Sequence, residues 1–247
     1  MSHKVTFAGS GDAFGSGGRF QTCILVDGPT KRVAIDFGTS SLIALNQLGV
    51  AHNSIDAIVI THLHGDHCGG VPFMLMDAML GAKRQTPLTI AGPRGTKARL
   101  AEVCEALFPG MHTMTPRFAV HYVEMDLMKK NSVVAGVSAT PYPAVHTRET
   151  NPTSVRVEVE GKTISYTGDS AWNKHMAPLA RDADLFVAEC YFHAKHVRFH
   201  LNYPDIREHW DEFQAKRTVF THMSSEMLAH LDVVPQETAH DGLVLEI

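Results

Sequence analysis

Four side chains able to bind a metal fall within six residues of the run Thr61-His62-Leu63-His64-Gly65-Asp66-His67. This H-x-H-x-D-H pattern lies directly behind the apolar stretch Ile55–Ile60. If that stretch ends as a strand, His62 and His64 are two residues apart and project from the same side of its extended continuation. Gly65 then permits a sharp turn that presents Asp66 and His67 to a neighbouring position. Imidazoles with one carboxylate suit zinc, with manganese or iron as substitutes. The run is read as a metal site.

One such motif holds too few ligands for two ions, so others must come from elsewhere in the chain. His146 follows the β-like run Val133–Tyr142, Asp169 follows a strand over Thr163–Thr167, and His222 follows one over Arg217–Thr221. Each sits behind an apolar strand as His62 does, so neighbouring strands of a sheet can bring all of them to one edge.

The remaining elements must supply that frame. Strands are expected at Lys4–Ala8, Thr22–Val26 and Arg32–Asp36, the last two forming a hairpin across Asp27-Gly28-Pro29. Helical spacing over Thr39–Leu48 stops at Gly49. Strand Ala57–Ile60 delivers the histidine motif. Helices follow at Val71–Leu80 and Gly95–Leu107, with a strand at Leu88–Ala91 between them. The centre is β-rich: Ala119–Glu124, Val133–Tyr142, Ser154–Glu160 and Thr163–Thr167. Beyond it come a helix at Met176–Ala180, a strand at Leu185–Glu189, and helices at Tyr203–Gln214 and Ser224–His230. No linker divides the chain, so residues 1–247 are expected to form one α/β domain with two central sheets and helices outside.

Composition excludes some functions. A net charge of −4 with scattered Lys and Arg does not make a basic nucleic-acid surface. The four cysteines, Cys23, Cys68, Cys104 and Cys190, include no C-x-x-C pair and read as reduced thiols. No apolar leader and no stretch of membrane-spanning length is present, which makes the cytoplasm the expected location. The glycine-rich segment Gly9–Gly18 lacks a following Lys-Ser/Thr and a helix behind it, so it is neither a P-loop nor a dinucleotide fingerprint. It is expected to form a flexible rim of the active site, with Arg19 and Arg148 as candidate anion contacts.

Taken together, THLHGDH, the lone His146, the TGD ending in Asp169 and the TH ending in His222 resemble the metallo-β-lactamase fold superfamily. Within it they resemble the ribonuclease Z-like branch, as does the opening FAGSGDAFGSGGR. The resemblance implies a four-layer αβ/βα sandwich and two divalent metal ions, zinc foremost. By position, one ion would be held by His62, His64 and His146, the other by Asp66, His67 and His222, and Asp169 would bridge them. A hydroxide between the metals would attack a phosphodiester, with Asp66 part of the catalytic centre. Glu189 would orient His200 to assist the leaving oxygen, although Leu201-Asn202 follows His200 where relatives commonly carry Ser or Thr. Cys190 is not the bridging ligand, since TGD already offers a carboxylate; it and Cys68 are expected to be buried thiols.

A departure from the family narrows the substrate. Little more than a hairpin fits between His146 and Asp169, where bacterial ribonuclease Z usually carries a long tRNA-gripping arm. The expectation is therefore a small substrate such as a cyclic nucleotide or other cyclic phosphate, with long tRNA disfavoured, no membrane partner and a homodimer plausible. Hydrolysis of a carboxylic ester, lactone or thioester on the same metals stays open. β-Lactam hydrolysis is disfavoured by the missing leader. The non-enzyme alternative is a metal-containing accessory protein.

Overall fold

The structure is a computed structural model and describes residues 3–247. Its first sheet gathers β1 (Lys4–Gly9), β2 (Cys23–Asp27), β3 (Arg32–Ile35), β4 (Ala57–Val59), β5 (Leu88–Gly92) and β6 (Val120–Glu124). The second gathers β7 (Asn131–Val134), β8 (Val137–Pro143), β9 (Thr153–Val159), β10 (Lys162–Tyr166), β11 (Leu185–Glu189), β12 (Thr218–Thr221) and β13 (Glu237–Thr238). A final strand, β14 (Val244–Glu246), returns to the first sheet and pairs antiparallel with β1, Lys4 opposite Glu246. Strand orders are β14-β1-β2-β3-β4-β5-β6 and β13-β12-β11-β10-β9-β8-β7. Each sheet is antiparallel at one end and parallel at the other: β3 to β6 run parallel in the first, β10 to β13 in the second.

Side-chain alternation explains the layering. Val155, Val157 and Val159 of β9 point between the sheets, where they meet Val5, Phe7, Ile24 and Val26 from the first sheet. The opposite faces are also covered. Cys23, Leu25, Ile58 and Ile60 pack under α1 (Ser41–Gln47), α2 (Gly65–Cys68), α3 (Val71–Met76) and α4 (Thr96–Leu107). Phe186, Ala188 and Phe220 pack under α5 (Met176–Ala180), α6 (Tyr203–Glu208) and α7 (Ser225–Leu228). Strands buried on both faces read as unbroken apolar runs, as Ala57–Ile60 does. Each fully buried Val, Leu, Ile or Phe contributes about 1.5–3 kcal/mol. The result is the four-layer αβ/βα sandwich.

Three expected elements differ. Val133–Tyr142 is not one strand but parts of β7 and β8, separated by Ala135-Gly136 with Gly136 at φ 80°. A two-residue turn with glycine in this region reverses the chain where apolar spacing alone suggests continuity. The helix expected over Tyr203–Gln214 ends at Glu208, where His209 leaves helical geometry and a single tight turn, Trp210–Glu212, follows. The helix expected over Val71–Leu80 is α-helical only to Met76 and widens into a π-turn over Asp77–Gly81. Among the described residues no helix is long and apolar enough to cross a membrane.

Candidate metal centre

The centre lies where the C-terminal ends of parallel strands from both sheets meet. His62 and His64 follow β4, and Asp66 and His67 stand on α2. Gly65 does not make the sharp turn expected of it; it opens that helical turn, with His64 extended at its N-cap. A helix advances about 100° per residue, and this presents Asp66 and His67 to one side.

The other ligands are placed by backbone hydrogen bonds at strand ends. Val145 N–H donates to Ser170 Oγ (2.9 Å) and Ala171 N–H to the Val145 carbonyl (2.9 Å), which lashes His146 alongside Asp169. Gly168 holds φ 56°, and a Cβ there would stand 3.0 Å from the Thr153 carbonyl oxygen and 3.0 Å from Thr61 Cβ. Only glycine lets the chain before Asp169 approach β9 and the histidine motif so closely. His222 itself adopts φ 55°, its N–H donating to the Ser10 carbonyl (3.1 Å). A non-glycine residue in this conformation costs about 1–3 kcal/mol and is retained where its surroundings impose it.

Two ligand sets result, sharing Asp169: His62, His64, His146 and Asp169, and Asp66, His67, Asp169 and His222. In the first, His64 Nδ1 lies 3.2 Å from His62 Nε2 and 3.1 Å from His146 Nε2. Tetrahedral zinc with bonds of about 2.0–2.1 Å holds its nitrogens about 3.3 Å apart. In the second, Asp66 Oδ2 is 3.2 Å from His67 Nε2 and 3.3 Å from His222 Nε2. Asp169 turns Oδ1 toward His67 and His222 (3.1 and 3.4 Å) and Oδ2 toward His62 and His146 (3.9 Å each). His67 Nε2 and Asp169 Oδ1 are buried and, although 3.1 Å apart, lack any hydrogen-bond partner. Two orphaned polar atoms converging on one space fit a cation between them.

Second partners fix the imidazoles. His67 Nδ1–H donates to Asp36 Oδ2 (2.6 Å), His146 Nδ1–H to the Phe199 carbonyl (2.9 Å), and His62 Nδ1 meets Thr61 Oγ1 (3.0 Å). Each bond protonates Nδ1 and leaves Nε2 bare for a metal. Asp36 is the residue sequence reasoning missed. Buried at the end of β3 and itself at φ 58°, it also accepts from Thr61 N–H and Oγ1–H (2.7 Å each). Through Thr61 it therefore reaches His62 of the first set while touching His67 of the second. The one sequence clue was an aspartate closing an apolar strand.

The electrostatics separate the two sets. Burial, reinforced by the neighbouring His67, holds His62 well below the usual imidazole range; burial and His146 lower His64. Burial alone would raise Asp66 and Asp169, but His67 foremost for the first and His222 for the second bring both below their ordinary values. Burial would likewise lower His67 and His222, yet Asp169 and its fellow carboxylates carry both well above the usual range. The second set is thus negative enough to recruit protons, which a metal ion would displace.

Glu189 and His200 join this centre. Fully buried at the end of β11, Glu189 accepts from Ser170 N–H (3.0 Å) and Leu201 N–H (3.1 Å), and its other oxygen accepts from His200 Nδ1. The His200 ring stacks on Tyr191 at 4.5 Å and lies 5.1 Å from His146. Burial pulls its pKa down, but Glu189 outweighs burial and the net shift is upward. Beside His146 opens a cavity of about 630 Å³ whose lining includes Arg94, Met125, Leu127, Lys129 and Arg148.

Other candidates fall outside the centre. Arg19 is turned inward, Nη1 donating to the Ala239 carbonyl (2.6 Å). The loop before it is stapled by Asp12, which accepts from Ser16 N–H (2.9 Å) and Phe14 N–H (3.2 Å). All four cysteines are free and buried, and burial pushes the Cys68 thiol up to about 12 and the Cys190 thiol well above its ordinary range.

This sandwich, with histidines and aspartates gathered at the strand ends, defines a metallo-β-lactamase-fold protein of the ribonuclease Z-like branch. The chain belongs to the family described as anti-Pycsar protein Apyc1, whose model matches residues 3–244. A ribonuclease Z of Alkaliphilus oremlandii is 34% identical over 92 residues, covering 37% of this chain but only 29% of that protein. The fold matches the Bacillus subtilis metallo-β-lactamase-fold protein YhfI at a TM-score of 0.78 and 20% identity, covering 100% of both chains. It matches a diphosphatase of the PhnP family equally well, at 0.78 and 22% identity over 99% of this chain and 98% of the other.

Proposed function

We propose that this chain is a metal-dependent hydrolase of small phosphodiesters of the cyclic nucleotide or cyclic phosphate type, working with two divalent ions, zinc foremost. When bound, the metals supply a water activated at neutral pH and positive charge for the attacked phosphoryl group. His62, His64 and His146 would hold one ion, Asp66, His67 and His222 the other, with Asp169 between them. The chain's own residues do the rest. Water adds to phosphorus, the P–O bond to the leaving group breaks, and His200 gives that oxygen its proton, yielding a phosphomonoester. Glu189 holds the imidazole in the orientation and charge state for this transfer.

The pairing of half-buried His200 with buried Glu189 against the ligand cluster carries this reading. A carboxylic ester or lactone, whose carbonyl the metals can polarise, does not need such an acid; an alkoxide leaving phosphorus does. The cavity beside His146 supports a small anionic substrate. Its volume lies within the range usual for small ligands, about 300–1,000 Å³. Arg148, which lines it, forms no ion pair among the described residues.

The test is His200→Gln with metal content held at the wild-type level. Turnover of a cyclic nucleotide is expected to fall about 10²–10⁴-fold. Bis(p-nitrophenyl) phosphate, whose leaving group needs no proton, is expected to lose far less. Equal losses on both substrates, or efficient lactone hydrolysis unaffected by the substitution, would overturn the assignment.

A further inference from the structure

Away from these ligands stands a second group of metal-binding side chains. His193 lies in the segment after β11, Glu226 on α7 and His230 just beyond it. Each offers one ligand atom, and the three atoms lie within 4.8 Å of one another. No residue of this trio belongs to the candidate centre. Glu226 and His230 are four residues apart across the C-terminal end of α7, where the His230 ring turns back to the Glu226 carbonyl. His193 comes from the opposite side, its ring parallel to that of His230 with centroids 4.4 Å apart.

The surroundings prepare this group for a cation. His230 Nδ1–H donates to the Glu226 carbonyl (2.8 Å), which fixes the tautomer and leaves Nε2 with a free lone pair. His193 is held by its backbone rather than its ring: its N–H donates to Glu226 Oε2 (2.8 Å), and the ring rests between His230 and Tyr203. Neither imidazole forms an ion pair through its ring among the described residues. Two imidazoles and one carboxylate, all half-buried, form the N₂O set that four-coordinate zinc completes with one water.

We infer that His193, Glu226 and His230 form a third, peripheral divalent-metal position, taking Zn²⁺ or a similar borderline ion. Its place in the fold gives it a task. The segment from Cys190 to Asn202 carries His200 and the Phe199 carbonyl that orients His146; α7 begins just after His222. An ion shared by His193 and α7 clamps that segment to the helix behind His222, and so holds the leaving-group histidine against Tyr191 and beside His146. It is a positioning site, not a reacting one.

The experiment strips the full chain of metal, dialyses it against micromolar Zn²⁺ and counts bound zinc. Wild type, His193→Gln, His230→Gln and Glu226→Gln are compared, with Asp169→Ala as the variant of the main centre. The three peripheral variants are expected to bind one equivalent less than wild type, and Asp169→Ala to keep that equivalent. Zinc is also expected to slow amide exchange across residues 193–200 in Asp169→Ala but not in Asp169→Ala/His230→Gln. Glu226→Gln keeps an acceptor for the His193 N–H, so a loss of zinc there is not a loss of folding. Unchanged zinc counts in variants whose metal-free melting matches wild type would overturn the site, as would zinc that binds it only at millimolar concentration.

Discussion

Replacing Asp36 by Asn changes one oxygen to an amino group at a residue that touches no substrate, and its effect can be worked through atom by atom. Oδ1 accepts from the Thr61 backbone N–H, and Oδ2 accepts from Thr61 Oγ1–H and His67 Nδ1–H. An Asn cannot turn its amino group toward the backbone N–H, because two donors would face each other and neither can rotate away. It must therefore aim the amino group at His67. That pairing requires a bare Nδ1, so the ring proton moves to Nε2, the atom meant for the metal. Backbone strain does not confuse the result, because Asn tolerates the left-handed region as readily as Asp at φ 58°.

The lost charge-assisted bond costs about 1.5–3 kcal/mol, which for a chain of this size lowers the metal-free melting temperature by roughly 5–10 °C. Affinity at the position holding His67 is expected to fall about 10–100-fold, the usual cost of disturbing a ligand's outer partner. Titration against a competing chelator measures the affinity, and ¹⁵N shifts of the His67 ring report the tautomer. An Asp36→Asn protein that binds both ions as tightly as wild type, with the His67 proton still on Nδ1, would refute the reasoning.

Two further outcomes are expected. Arg148→Ala should raise KM for an anionic phosphodiester roughly 10-fold, about the worth of one charge-assisted contact. It should leave zinc content and kcat nearly unchanged; steady-state kinetics at two salt concentrations check this. Asp184, which accepts from Lys216 Nζ (2.8 Å), Lys162 Nζ (3.2 Å) and Thr163 N–H (2.9 Å), has its pKa lowered to about 2 despite the upward pull of burial. A depressed carboxyl stabilises the fold above its unfolded pKa and loses that contribution as pH falls through the folded value. Asp184→Asn should therefore cost about 1 kcal/mol at neutral pH, screened because its lysines face solvent. The difference from wild type should vanish between pH ~4 and ~2 in urea melts followed by fluorescence.

The candidate ligands His62, His146, Asp169 and His222 stood out in the sequence because each follows a strand, so local pattern and chemistry coincide there. The strands buried on both faces announced themselves by unbroken apolar runs. What escaped was decided by geometry without a local mark. The reversal at Ala135-Gly136 depends on one backbone angle within a run of strand-forming residues. The early end of α6 depends on Trp210 and Phe213 packing under Phe220 and Phe186, which spacing alone does not predict. Asp36 lies far along the chain from His67 and is brought to it by the parallel pairing of β3 with β4 and by the Phe37 N–H donating to the His67 carbonyl (2.6 Å). His193 and His230 likewise meet only when α7 folds against the segment after β11.

The pairing of β14 with β1 bears on how the chain is made. Synthesis delivers β1 first, and β2 can cover one of its edges at once, but the other edge has no partner until β14 emerges. Throughout translation a nascent molecule thus presents Val5 and Phe7 on a strand with unpaired backbone groups, a template for pairing with a neighbouring chain. Folding cannot shorten this interval, because joining residue 4 to residue 246 demands the longest loop closure in the sheet. Crowded ribosomes or an edge-disrupting change in Val244–Glu246 would therefore lower soluble yield before any effect on the finished molecule is felt.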